Sequence, residues 1–228
     1  MNICIIPARG GSKRIPKKNI REFHGKPIIA YSIKAAIDSG CFDKVIVSTD
    51  SKEIAATAKE WGAEVPFMRP DNIADDFATT MDVIEHAINW YENREWQIDK
   101  VCCIYATAPF IEVEDIKRGL VFLKDPKIQY AFSATSFAFP VQRAFFLDKN
   151  ECVNMFQPEH LLTRSQDLAP SYHDAGQFYW GKASAFKARL AFFASHSRPI
   201  LLPRERVQDI DTPEDWEKAS KMYRLIIK

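Results

Sequence analysis

Two segments carry residues that can do chemistry by type and spacing. The first is Pro7-Ala8-Arg9-Gly10-Gly11-Ser12-Lys13-Arg14-Ile15-Pro16-Lys17-Lys18-Asn19, with a Gly-Gly pair and five cations between Arg9 and Asn19. Glycines let a backbone approach a ligand closely, and amide N–H groups beside point charges suit a polyphosphate. The spacing matches neither the Gly-x-x-x-x-Gly-Lys-Ser/Thr of a P-loop nor the Gly-x-Gly-x-x-Gly of a dinucleotide fold. A solvated basic turn is the plain alternative. Its place directly after the first apolar run favours the phosphate role. The second segment is Val207-Gln208-Asp209-Ile210-Asp211-Thr212-Pro213. In a strand, Asp209 and Asp211 would face one side. Adjacent like charges are costly unless a cation joins them, and Mg²⁺ favours carboxylates together with phosphate oxygens. Thr212 accounts for the cap of the following helix, which leaves both carboxylates for a metal.

These segments need a scaffold, and the pattern supplies one. Apolar runs at Ile3–Ile6, Val45–Val47, Val101–Tyr105 and Tyr130–Ala134 read as buried strands. Between them lie amphipathic helices. One has Ile29, Ile33, Ala36 and Ile37 on a face, one runs from Ser51 to Trp61 with Gly62 as its stop, and one carries Ile84, Ala87, Ile88 and Tyr91. A fourth carries Val113, Ile116, Leu120 and Leu123. Thr212, Pro213 and Asp215 form a capping box for the last. The alternation predicts an α/β fold, a mainly parallel sheet with helices on both faces. Ligands of such sheets bind outside the carboxyl ends of the strands, where the Gly-Gly loop falls. The rhythm breaks after Ser136 and resumes near Phe178–Trp180. Residues 1–228 therefore read as a single domain with a lobe inserted at about 137–175. The lobe is rich in aromatics (Phe137, Phe139, Phe145, Phe146, Phe156), and exposed apolar surface of that kind marks a subunit interface.

Composition excludes several classes. Lys plus Arg total 31 against 30 Asp plus Glu, which argues against a nucleic-acid partner. The cysteine count is odd, and Cys4, Cys102 and Cys103 sit in apolar runs. Neither a disulfide framework nor a zinc site is expected, and a reducing cytoplasm is the natural compartment. The opening residues lack the pattern of a signal peptide, and no run reaches the length of a membrane span.

The run Ala8-Arg9-Gly10-Gly11-Ser12-Lys13, followed by Pro16 and Lys18-Asn19, resembles the signature of CMP-acylneuraminate synthetases, and the similarity extends over nearly the whole chain. The resemblance implies a Rossmann-like nucleotidyltransferase fold, a small dimerisation lobe giving a homodimer, and a need for Mg²⁺. It implies that Ala8, Arg9, Gly10, Gly11, Ser12, Lys13, Lys18 and Asn19 meet CTP. It also puts Arg69 near the cytosine and Thr80 near the nucleotide, and Asp209 and Asp211 on the metal. The implied reaction is in-line attack of a sugar's anomeric hydroxyl on the α-phosphate of CTP, with loss of pyrophosphate. Lys18, Arg9 and Asp211 would be the catalytic residues, acting by positioning and charge stabilisation.

The sugar end is less uniform. Tyr105-Ala106-Thr107-Ala108-Pro109 stands where sialic acid synthetases typically carry Gln-Pro-Thr-Ser-Pro-Leu-Arg, so Tyr105 replaces Gln and Ile111 replaces Arg. Asp174-Ala175-Gly176-Gln177-Phe178-Tyr179 resembles the pseudaminic acid branch, which implies Tyr105, Gln177 and Tyr179 at the sugar. Arg164 aligns with a family arginine at that site, and Arg143 is a second candidate. A guanidinium suits the sugar carboxylate, whereas a surface ion pair is the plain alternative. The expectation is CMP transfer to a nine-carbon ulosonic acid, pseudaminic acid first. Legionaminic or N-acetylneuraminic acid, or a nucleotide-sugar-binding regulator without catalysis, are the alternatives.

Overall fold

The computed structural model describes residues 1–75 and 78–226. In chain order the strands are β1 (Asn2–Pro7), β2 (Glu22–Phe23), β3 (Lys26–Pro27), β4 (Lys44–Ser48), β5 (Lys100–Ile104), β6 (Tyr130–Ser136), β7 (Phe145–Leu147), β8 (Val153–Met155), β9 (Tyr172–Lys182) and β10 (Ser197–Leu201). The helices are α1 (Ile29–Ser39), α2 (Lys52–Glu60), α3 (Thr80–Glu92), α4 (Val113–Phe122), α5 (Ala183–Lys187) and α6 (Pro213–Ile226). The central sheet has the order β10-β6-β9-β5-β1-β4. β1 runs parallel to β4 and β5, and β10 to β6, while β9 lies antiparallel between β5 and β6. This is the expected α/β nucleotidyltransferase architecture, with one antiparallel strand.

Alternate residues of β1 feed two cores. Cys4 and Ile6 pack with Ile33, Ile54, Ile116 and Trp180, whereas Ile3 and Ile5 pack with Ile84, Ile88, Tyr130 and Phe186. Because both faces are covered, the strand reads as an unbroken apolar run. A third cluster, smaller and off the sheet, unites Ile15, Phe23, Ile28, Tyr31, Phe110, Ile210, Trp216 and Ala219. It seats α6 and the β2–β3 hairpin beneath the Gly-Gly loop.

The expected caps form. Ser51 accepts the Ile54 amide at 3.4 Å. Gly62 takes the left-handed φ of +93° just past α2. The Thr212–Asp215 box closes α6 through Thr212 N–H to Asp215 (2.9 Å) and Asp215 N–H to Thr212 (3.2 Å). Three boundaries differ from expectation. β5 stops at Ile104, because Tyr105 turns away into the loop that Pro109 ends. β9 begins at Tyr172 rather than near Phe178, since β6 supplies a partner for residues 172–174. The inserted segment is thus 137–171. It carries the β7–β8 hairpin and leaves Phe139 (82%) and Leu162 (91%) exposed. Residues 207–211 form a connection and not a strand, because no described strand pairs with them.

Gly119 on α4 marks the tightest contact between helix and sheet. A Cβ there would lie 2.4 Å from Trp180 Cδ1. That indole is fixed by its own hydrogen bond to the Ile116 carbonyl at 2.9 Å. Alanine gains about 1 kcal/mol of helix propensity, but overpacking a core costs about 1–3 kcal/mol. Gly119→Ala is therefore expected to lower the thermal midpoint, and an unchanged or raised midpoint in a calorimetric scan would refute this packing argument.

Candidate active site

A cavity of about 330 Å³ opens at the carboxyl ends of β1 and β5. The loop after β1 lines it with Arg9, Ser12, Lys13, Arg14, Lys18 and Asn19. Arg69, Thr80, Tyr105 and Asp211 complete the wall. The structure thus brings together most of the residues chosen from sequence for the nucleotide. They come from segments nearly the whole chain length apart.

The loop is held from behind. Ala8 N–H continues the strand pairing to the Ser48 carbonyl at 2.9 Å. Gly10 N–H donates to Asp50 Oδ1 at 2.8 Å, and Ser12 N–H donates to the Gly10 carbonyl at 2.9 Å. A Cβ on Gly10 would meet Ser51 Cβ at 3.1 Å, so the close approach to α2 accounts for this glycine. Asn19, buried, donates to the Arg9 carbonyl at 2.9 Å. Ala8, Gly10 and Gly11 do not line the cavity. Within the loop, the amide of Gly10 is engaged by a carboxylate. Ser51 caps α2, and no local signal in the sequence marks Asp50 as the brace of a loop forty residues away.

The acidic pair meets the loop directly. Lys18 Nζ donates to the Ile210 carbonyl at 2.7 Å and to Asp211 Oδ1 at 3.1 Å, and Arg14 pairs with Asp211 Oδ2 at 2.8 Å. Ile210 is wholly buried between the two aspartates. Burial pushes the Asp211 carboxyl up, but Lys18 and Arg14 outweigh it and leave it below the ordinary carboxylate value. Asp209 goes the other way. Burial and the charge of Asp211 raise it, with Lys18 opposing. Arg14 belongs to the site although the sequence analysis did not single it out.

Arg69 is buried, donating to the Ser48 carbonyl at 2.5 Å and to Ser48 Oγ at 3.2 Å. Burial lowers its pKa against the pull of the Asp50 charge. Thr80 begins α3, and the Thr79–Asp82 capping box fixes the start of that helix. Tyr105 is held at its carbonyl by Ser32 (2.7 Å) and at its amide by the Gln177 carbonyl (2.9 Å). Its ring packs on Tyr179, centroids 5.7 Å apart.

Four residues assigned to the sugar, Tyr179, Gln177, Arg143 and Arg164, do not line the cavity in the single chain. Gln177 is buried and donates to the Arg206 carbonyl at 2.6 Å, because the irregularity in β9 turns it toward that segment. Arg143 donates to the Thr163 carbonyl, and Arg164 pairs with Asp167 at 2.6 Å. Both sit in the 137–171 segment and neither lines the cavity.

A family model described as cytidylyltransferase matches residues 3–226. A pseudaminic acid cytidylyltransferase of Campylobacter jejuni subsp. jejuni is 46% identical over 98% of this chain and 97% of its own length. A CMP-N,N'-diacetyllegionaminic acid synthase of Legionella pneumophila subsp. pneumophila is 32% identical over 98% of this chain and 96% of its own. Among solved structures, a CMP:2-keto-3-deoxy-manno-octonic acid synthetase complexed with CTP aligns with a TM-score of 0.69 at 17% identity, covering 98% of both chains. That last likeness shows the fold.

The opposed shifts of the two aspartates give a stability test. A depressed carboxyl contributes stability above its unfolded pKa and loses it as pH falls through the folded value. Asp211→Asn is therefore expected to lower the thermal midpoint of the ligand-free chain at neutral pH, with the deficit narrowing in acid. A raised carboxyl is penalised when ionised, so Asp209→Asn should raise the midpoint. Thermal melts of both variants across pH check the signs.

Proposed function

The chain belongs to the cytidylyltransferase family, and from that premise we propose that it transfers CMP from CTP to the anomeric hydroxyl of a nine-carbon ulosonic acid, preferring pseudaminic acid. The observation that carries this reading is the cavity, which five loop and wall cations line together with Tyr105 and Asp211. The choice of sugar is supported by the 46% identity to a pseudaminic acid cytidylyltransferase, against 32% to the legionaminic acid synthase and 31% to an N-acylneuraminate cytidylyltransferase of Escherichia coli. Tyr105, where sialic acid synthetases carry glutamine, offers a less polar surface to a sugar with a second acylated amine.

The work of the protein is positioning and charge stabilisation. Lys18, Arg9, Lys13 and Arg14 would neutralise the triphosphate, with Lys18 already oriented by Ile210 and Asp211. Arg69 and Thr80 would face the nucleoside. The sugar hydroxyl attacks the α-phosphate, the bond to the bridging oxygen breaks, and pyrophosphate leaves. Asp209 and Asp211 fit a hard divalent cation. Asp211 lines the cationic cavity, Asp209 lies two residues before it, and burial and the charge of Asp211 disfavour ionised Asp209. A cation joining them relieves that repulsion. Mg²⁺ held there would supply Lewis-acid stabilisation to the phosphate oxygens.

We further propose a homodimer, with the exposed apolar side chains of residues 137–171 against a second copy. Arg143 and Arg164 would then approach the partner's cavity. No described helix is long and apolar enough to cross a membrane, and all five cysteines are free thiols. We place the reaction in the cytoplasm.

Comparison of kcat/KM for pseudaminic and N-acetylneuraminic acids, at fixed CTP and Mg²⁺ with pyrophosphate release as readout, is expected to favour pseudaminic acid by about tenfold or more. Equal or better use of N-acetylneuraminic acid would refute the sugar while leaving CMP transfer intact. Light scattering at micromolar concentration should give twice the chain mass, and Leu162→Asp should shift the protein toward monomer. A monomeric wild type overturns the interface.

A further inference from the structure

The end of β4 holds Arg69 by one side of its guanidinium. The Arg69 backbone N–H donates to the Thr49 carbonyl at 2.7 Å, beside the parallel bridge between Thr49 and Met68. The side chain then turns back onto Ser48: Nε donates to Ser48 Oγ at 3.2 Å, and Nη2 donates to the Ser48 carbonyl at 2.5 Å. Ser48 is wholly buried. Its carbonyl also accepts the Ala8 N–H, at the root of the Gly-Gly loop. One residue of β4 therefore carries both the start of the cationic loop and the buried arginine of the opposite segment.

Counting donors shows what Arg69 has left to give. A guanidinium carries five N–H donors in a planar fork and no acceptor. Nε and Nη2 form one side of that fork, and Ser48 engages both. Arg69 lines the cavity, and the part of the fork not used by Ser48 is its end, Nη1 with the second N–H of Nη2. That end is a pair of parallel donors in a fixed plane, which matches two adjacent acceptors in one plane. Cytosine has such an edge, with O2 beside an unprotonated N3. Uracil has the same outline but carries a hydrogen on N3, which would set donor against donor.

Resting on the functional reading above, we infer that Ser48 is a positioning residue: it locks the plane of the Arg69 guanidinium and so makes the site choose a cytosine over a uracil nucleotide. A mobile arginine would discriminate less, because it could turn a single donor to O2 and avoid N3. Held on two atoms of one buried residue, the fork keeps its plane. A uracil then leaves buried donors unpaired, which is costly. The Ser48 carbonyl, shared by Ala8 and Arg69, refers the base-reading fork and the phosphate loop to one point.

The competing role for Ser48 is only to complete the strand and its packing, and the choice of nucleotide separates the two. The quantity to follow is kcat/KM for CTP over UTP, with the sugar that the wild type charges as acceptor and pyrophosphate release as readout. A nucleotide that is not turned over is compared through its inhibition constant. Ser48→Ala keeps the backbone pairing and removes the acceptor for Nε. It is expected to lower the preference for CTP by about tenfold, with the KM for the sugar within about twofold of wild type. Ser48→Cys, close in shape and a weaker acceptor, carries the test if Ser48→Ala does not fold. In an Arg69→Lys background, where the fork is gone, neither change should alter the ratio further. An active wild type that uses UTP as well as CTP, an unchanged ratio in the Ser48 variants, or an effect that persists in the Arg69→Lys background overturns this inference alone. Equal losses for both nucleotides do so too, since a guanidinium on the phosphates or a merely structural Ser48 would give that result. A wild-type chain that charges neither pseudaminic nor N-acetylneuraminic acid from CTP overturns the functional reading as well.

Discussion

Ile15 and Ile210 are buried in one apolar cluster with Phe23, Tyr31 and Trp216, and this contact makes the site. Ile15 sits among the loop cations, and Ile210 sits between the two aspartates. Burying side chains of this size contributes about 1.5–3 kcal/mol each. The ion pairs above them, Lys18–Asp211 and Arg14–Asp211, are partly exposed and of a class worth little by itself. The apolar contact therefore fixes the approach of two segments 193 residues apart, and the charges are carried along in register. The Lys18 ammonium then bridges the two segments by donating to the Ile210 carbonyl.

That arrangement leaves the site electrostatically asymmetric. Asp211 has two cationic neighbours and is stabilised as a carboxylate, while Asp209 is destabilised by burial and by Asp211. In this pair one carboxylate is compensated and its neighbour is not. On the other side, Arg69 is buried and tied to Ser48, a rigid group whose position is set by β4 and not by ligand.

The antiparallel β9 does for the Tyr105 side of the cavity what the third cluster does for the basic loop. Inserted between β5 and β6, it delivers Tyr179 beside Tyr105, and its break at Gly176 swings Asp174 onto the same side while sending Gln177 to Arg206. One backbone irregularity thus sets Asp174 against Tyr179 behind the wall and turns Gln177 away from it.

The sequence alone determined the architecture, because it is written in local terms. Unbroken apolar runs specify strands covered on both faces. Thr212, Pro213 and Asp215 specify a helix start, and a Gly-Gly pair among cations after the first strand marks the basic loop that lines the cavity. What needed tertiary structure was every assignment that depended on a distant partner. Gly10 binds Asp50 instead of lining the cavity, Arg14 joins Asp211, residues 207–211 find no strand partner, and Gln177 turns away at a bulge with only a weak local sign, a glycine. Arg143 and Arg164 are held by Thr163 and Asp167 within their own lobe. Side-chain periodicity reports which face a residue occupies in a regular element. It carries no information on which segment packs there, or on where the regular period is broken.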